Sequence, residues 1–343
     1  MSNKKRIEWV DVARFIGIMF VILSHFEVCP QSFRILFEPF FLAIFFFCSG
    51  YLYKDGDSFV IFFKKKLKQL FIPWLIYSNL NIIISNIKSI KHHQNSFLTE
   101  VFRNMLQIRY FDERLWFVPA LFTAFIAFYF VIKWYEKKHN LKSLISLIIA
   151  LAFIRKVYKT FVDPNIFPWG YTTLPWHIDY IPTALFFMVL GYLFKKLWEE
   201  EFDKLNTISN SLLLFIFYVI LVYVIEYLHI PYHFASDFII DHFRHLIAIL
   251  MIVSISKRIK TNKYISYIGS NTLIYFFIHN KVVTLFEYLF EHLFKNVYLT
   301  ILNNNILAVI YCLLSTIIIS FALLIPTYII NKYLPFTIGK DKK

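Results

Sequence analysis

Apolar runs long enough to cross a lipid bilayer recur along almost the whole of this 343-residue chain. About 20 apolar residues in a helix span the hydrocarbon layer. In lipid, backbone N–H and C=O groups find no water, so such runs are compelled to satisfy themselves as helices. They fall at 9–28, 33–53, 69–87, 115–135, 141–158, 174–194, 208–228, 237–256, 264–290 and 306–331. The fold expected is all-α: a polytopic integral membrane protein of ten transmembrane helices, forming one domain over 1–343. The hydrophobic share is 58%, well above the 45–50% or so of soluble domains. No repeat of fixed period occurs, and no linker is long enough to separate a second domain. The start MSNKKR runs directly into the first span without a small-residue cleavage site, so a cleaved signal is not expected.

A net charge of +14 would suggest nucleic acid in a soluble protein; here it reads as topology. With the N-terminus inside, the inner loops and tails carry 23 Lys and Arg and the outer ones 10, Arg34 among the latter. That asymmetry predicts N-in and C-in, in a multi-pass protein of the inner or plasma membrane. The longest outer loop, 88–114, contains the amphipathic stretch FLTEVFRNMLQIRY, expected as a short interfacial helix. Cys29, Cys48 and Cys312 are isolated, without metal or disulfide spacing, and Cys48 and Cys312, in apolar segments, read as small core residues.

Against this apolar background, ionisable groups at membrane depth are costly and default to functional readings. Arg14 and His25 lie eleven residues apart in the first span. Eleven helical steps of about 100° return to within about 20° of the start, about 16 Å further along the axis. Asp11 falls about 40° from His25 on the same count, so three titratable groups share one face. Snorkelling near a helix end is the plainer reading of Asp11, and it extends to Arg14. It accounts poorly for His25, which follows Val21, Ile22 and Leu23 and precedes Phe26.

Further polar residues gather in the outer half of other spans: Arg114 and Trp116, His177 and Asp179, Asp241 with His242, Arg244 and His245, and His279 with Lys281. Each also has a plainer reading. His177 and Asp179 suit an interface beside Trp176, and Asp241 with Arg244 suits a structural i,i+3 ion pair. A metal site is not the expected reading of these histidines. Ser24 and His25, adjacent on a helix, diverge by about 100° and form no nucleophile–base pair.

The segment WVDVARFIGIMFVILSHF (9–26) resembles the opening of the acyltransferase-3 family of membrane-bound O-acyltransferases, which carries an Arg and a His separated by ten residues in its first helix. Further blocks follow in the family's order: FFFCSGYLY (45–53), KKKLKQLFIPWLIYS (64–78), RLWFVPALF (114–122) and IGSNTLIYFFIHN (268–280), the last placing His279. Two positions depart from the pattern. Gln69 stands where relatives often carry Arg, and Thr272 replaces the more usual Ser. The short single-domain form is most similar to the fucose O-acetyltransferase-like and polysaccharide-modifying members.

The resemblance implies transfer of an acyl group, usually acetyl, from cytoplasmic acyl-CoA to a hydroxyl of a cell-surface glycan or lipid-linked sugar. The donor, acetyl-CoA, is then a substrate, with no permanently bound cofactor, nucleic acid or metal expected. His25 is the expected general base, because a neutral imidazole takes a hydroxyl proton near physiological pH. His279 is a second acid/base or orienting group. Arg14 is expected to meet the donor or developing negative charge, held in place by Asp11. Lys66 and Lys68 suit the donor's phosphates, with attraction to anionic lipid as the plainer reading. Trp116, Arg114, His177, Asp179, Asp241 and Arg244 are candidate acceptor contacts. The rival class is an exporter of polysaccharide or lipid-linked precursor. Its usual pointer, paired Gly- or Pro-interrupted helices, is missing from a chain with seven glycines.

Overall fold

The computed structural model describes residues 6–88, 97–110, 115–227 and 234–340. The described residues are 82% helical, and among them no strand occurs. In order the helices are α1 (Glu8–Ser24), α2 (Gln31–Arg34), α3 (Ala43–Tyr51), α4 (Phe59–Lys66), α5 (Ile72–Lys88), α6 (Phe97–Leu106), α7 (Phe117–Lys138), α8 (Leu141–Phe161) and α9 (Ile181–Leu193). They continue as α10 (Glu199–Leu205), α11 (Ile208–Tyr227), α12 (Phe234–Arg258), α13 (Lys263–Ser270), α14 (Thr272–Leu293), α15 (Lys295–Leu302), α16 (Asn305–Ala322) and α17 (Leu324–Tyr333).

Among the described residues, six helical stretches are long and apolar enough to cross a membrane: Phe117–Lys138, Pro175–Leu205, Ile208–Tyr227, Phe238–Arg258, Thr272–Leu293 and Asn305–Tyr333. The other four expected spans differ from that form for local reasons. The first ends at Ser24, after 17 residues, and a turn leads to Pro30, which disfavours helix at the residue before it. The second breaks around Pro39, whose ring removes a donor, leaving i→i−3 and i→i−4 turns before α3 resumes. In the third, a π-turn over Leu67–Phe71 joins α4 to α5 just ahead of Pro73. The wider turn accommodates the proline's missing N–H without ending the helix. In the fifth, α8 forms but carries Arg155, Lys156 and Lys159 in its last turns. The expected ninth span is two helices, parted at Asn271, whose side-chain amide donates back to the Tyr267 carbonyl at 2.8 Å. The amphipathic stretch of the 88–114 segment forms α6, with Leu98 and Phe102 exposed.

The chain divides into two units: Met1–Tyr51 with Leu193–Ile329, and Leu52–Tyr192 with Ile330–Lys343. In the first, α1 lies against α3, α12, α13, α14 and α16. Helices in lipid gain no hydrophobic drive from meeting, so small residues set their closest approach. Gly269 of α13 does this against the backbone of Asp11 on α1. Arg6 fastens the same junction, pairing with Asp11 and donating to the Ser266 carbonyl at 2.5 Å. Lys257 joins Glu199 at 2.6 Å and Asp203 at 2.8 Å, and the Tyr51 hydroxyl donates to Glu199. Buried Asn206, Ser211 and Ser254 satisfy one another, as buried polar groups must.

In the second unit, α7 packs on the 3₁₀ segment Pro175–Tyr180 and on the π-turn. The Phe71 and Trp176 rings stack at 5.8 Å, and Trp74 meets Trp176 edge-on at 5.3 Å. The C-terminal turn Pro335–Ile338 returns to α5, where the Thr337 and Tyr77 hydroxyls bond at 3.1 Å.

Candidate active site

The end of α1 and the middle of α14 bring two histidines together in the first unit. The rings of His25 and His279 have centroids 4.7 Å apart at 62°, edge to face. His25 is not inside its helix, as the apolar run suggested; it is the C-cap, with its N–H on the carbonyls of Ile22 and Leu23. That position frees its side chain from the helix wall, and the residue is exposed. His279 is buried, 2% accessible.

The backbone assigns the proton on His279. Nδ1 lies 3.0 Å from the Tyr275 carbonyl and 2.9 Å from that of Phe276. Both are acceptors, so Nδ1 carries hydrogen and shares it between the i−4 and i−3 positions. In a neutral imidazole Nε2 is then a lone pair. That atom is buried and has no hydrogen-bond partner among the described residues. The residue presents an unused acceptor beside a second imidazole, the arrangement wanted for receiving or relaying a proton.

A third residue holds this corner, and its position in the sequence gave it no such role. Arg34 had counted only as a loop charge. Its guanidinium donates to the carbonyls of Ser24 at 2.7 Å, Cys29 at 3.0 Å and Phe26. These carbonyls lie at and beyond the end of α1, where helix geometry leaves acceptors unmatched and the dipole is negative. One planar fork therefore fixes the turn that carries His25. Glu287 approaches from α14, accepting from the Glu27 N–H at 3.3 Å. Cys29 and Cys312, isolated in the sequence, are both buried and stand near one another beside the turn.

At the other end of α1 the expected partnership is corrected. Asp11 pairs with Arg6, a residue in the charged start of the chain, and not with Arg14. Arg14, half-buried, lies near the Cys48 thiol of α3 and has no ion pair among the described residues. Its guanidinium keeps unused donors, whereas Asp11 is engaged in holding α1 to α13. Asp241 and Arg244 form the i,i+3 ion pair at 3.2 Å on α12. The nearby His242 and His245 bond through Nδ1 to the carbonyls of Phe238 and Asp241.

The remaining candidates lie in the second unit, except Arg114, which falls outside the described residues. His177 is buried beside Trp116, with rings 5.6 Å apart, and its Nε2 has no hydrogen-bond partner among the described residues. It does not open a helix. His177 and Trp176 both have left-handed backbone, φ +53° and +56°, a conformation uncommon for large side chains and concentrated at functional sites. Arg109 stacks over Trp116 at 4.3 Å. Asp179 is committed to structure: it pairs with Lys159 at 2.9 Å and accepts from the Leu174 N–H at 2.8 Å. Lys66 folds over the Phe125 ring at 3.5 Å, while Lys68 lines a cavity with Lys64.

Sequence comparison matches this chain to a family model described as an acyltransferase domain, over residues 7–325. No curated protein and no solved structure matches. The matched stretch takes in Arg14, His25, Arg34, His177 and His279 and covers nearly the whole chain. The chain belongs to the acyltransferase-3 family, as a multi-pass membrane acyltransferase.

Proposed function

We propose that this protein moves an acyl group, acetyl in the simplest case, from acyl-CoA to a hydroxyl of a cell-surface glycan or lipid-linked sugar. The observation that carries the reading is the His25–His279 pair, with the Nε2 lone pair of His279 unpartnered. In this proposal His25 takes the proton of the attacking hydroxyl, whose oxygen bonds to the thioester carbonyl carbon. The C–S bond breaks and the proton passes on to the departing CoA thiolate, giving the ester and CoA thiol. His279 orients the pair or relays that proton. Arg14 uses its spare donors on the donor or on developing oxyanion charge. Lys66 and Lys68 face the donor's phosphates. Trp116, Arg114, His177, Asp241 and Arg244 serve the acceptor, with the Arg109-stacked Trp116 offering a face for a sugar ring.

The same reading sets ten spans with both termini in the cytoplasm of an inner or plasma membrane. The donor then reaches the protein from the basic side.

The test compares glycan from cells lacking the protein with glycan from complemented cells, by NMR and mass spectrometry. Complementation is expected to restore one acyl unit per modified sugar. If the glycan instead fails to reach the surface in unmodified form, the exporter reading replaces this one.

Arg34 supplies a second prediction. Arg34→Lys keeps the charge but offers one ammonium to three carbonyls. Misplacing a catalytic group by about 1 Å costs about a hundredfold. The rate of acyl transfer is expected to fall about 10- to 100-fold while protein level in the membrane is unchanged. A wild-type rate removes Arg34 from the site.

A further inference from the structure

The start of α1, the end of α10 and the end of α12 enclose a cavity of about 480 Å³ within the first unit. Its walls include Glu8, Trp9, Ser256, Arg258 and Lys260. The spanning stretch Phe238–Arg258 stops here, so the cavity lies at the depth of phospholipid headgroups. Trp9 suits that level, where indoles gather with one end apolar and the other wet.

The charges around the cavity divide into two groups. Lys257 and Asp203 are matched. The Lys257 ammonium reaches Glu199 at 2.6 Å and Asp203 at 2.8 Å, and lies 5.2 Å over the Trp9 ring. Glu8, Arg258 and Lys260 are exposed and have no ion pair among the described residues. Ser256 is fully buried, and its hydroxyl has no hydrogen-bond partner among the described residues. A buried hydroxyl left unpaired costs free energy that a ligand atom beside it recovers. The cavity thus leaves open one carboxylate, two cations and one hydroxyl, next to an indole.

We propose that this cavity binds the zwitterionic headgroup of a primary-amine phospholipid, of the phosphatidylethanolamine class. The phosphodiester accepts from Arg258, Lys260 and the Ser256 hydroxyl. The ammonium donates to Glu8, and the nearby Trp9 ring attracts the same positive charge. Ile259, exposed on the rim, offers apolar surface to the glycerol end. Both halves of the headgroup are needed. A lipid with negative charge alone is repelled by Glu8, and a quaternary ammonium has no N–H to donate. The bound lipid sits at the base of the helix that carries Arg14, and its binding does not depend on the function proposed above.

The experiment uses the full chain in nanodiscs of phosphatidylethanolamine, phosphatidylglycerol and phosphatidylcholine in equal parts. Lipids that stay with the protein on transfer to uncharged detergent are counted by native mass spectrometry. The wild type is expected to retain phosphatidylethanolamine several-fold over either of the others. Arg258→Gln/Lys260→Gln is expected to lower that retention about tenfold, through loss of charge-assisted hydrogen bonds. Ser256→Ala, which removes one neutral hydroxyl, is expected to lower it about 2- to 10-fold. Glu8→Gln tests the other half: phosphatidylglycerol is expected to rise to the level of phosphatidylethanolamine. Monodisperse elution of each variant separates these losses from unfolding. Equal retention of phosphatidylethanolamine and either competitor by the wild type overturns the site. So does wild-type retention by the Arg258→Gln/Lys260→Gln chain, or an unchanged lipid preference in Glu8→Gln. No step reads acyl transfer, so failure here leaves the proposed function untouched.

Discussion

His25→Ala is expected to abolish acyl transfer while the protein stays in the membrane at wild-type level. General-base catalysis is worth about 10²- to 10⁴-fold, and the residue that would supply it here carries little of the fold. His25 is exposed and caps α1 through its backbone N–H. Its Arg34 clamp rests on the carbonyls of Ser24, Phe26 and Cys29. Alanine keeps all of these. His279 needs a subtler change, because it is buried and its Nδ1–H satisfies the backbone. His279→Asn retains a donor near the Nδ1 position and deletes the Nε2 lone pair, whereas His279→Ala deletes both. If Nε2 takes part in the chemistry, both variants lose activity by a similar factor and only the alanine variant loses stability. If His279 merely packs, the asparagine variant stays active. The measurement is acyl incorporation per molecule of folded protein, scored by monodisperse elution in detergent. Full activity in His25→Ala would remove the proposed base.

How much of this was legible beforehand differs by level of structure. Helical class follows from hydropathy alone, since lipid forbids unsatisfied backbone, and among the described residues six of the expected runs hold helices both long and apolar enough to cross a membrane. Interruptions were harder to see. Pro39 and Pro73 are visible in the sequence, yet the first breaks its span and the second is absorbed by a π-turn; the difference lies in the packing around each. The Arg14–His25 stripe places both residues on α1 or its cap, and the late block places His279 beside His25. What the sequence concealed was partnership over long separations. Asp11 stands three residues from Arg14 but pairs with Arg6, because α13 draws Arg6 toward Ser266. Arg34 carries no local signal of its three carbonyls, which belong to a turn that exists only once Pro30 has ended the helical path.

Gly269→Ala is expected to be the most damaging single methyl addition in the first unit. Its Cβ would overlap the Asp11 carbonyl oxygen and lie 2.8 Å from the carbonyl carbon and 3.0 Å from Cα, so the obstacle is backbone on all sides. Backbone in a helix does not rotate away, and α1 and α13 would have to separate. Gly17→Ala gives the internal comparison. There the new Cβ would meet the Ile44 side chain at 2.7 Å and the Phe45 ring at 3.0 Å, groups that can shift rotamer. Overpacking costs about 1–3 kcal/mol where neighbours yield; Gly269→Ala is expected at or beyond the upper end and Gly17→Ala toward the lower. Separation of α1 from α13 would also pull Arg6 from Ser266 and loosen Asp11, so the loss extends along the helix that carries Arg14 and ends at His25. Thermal unfolding in detergent, run on both variants, checks the ranking. If Gly269→Ala melts with the wild type while Gly17→Ala does not, the α1–α13 contact is not the joint that sets the site.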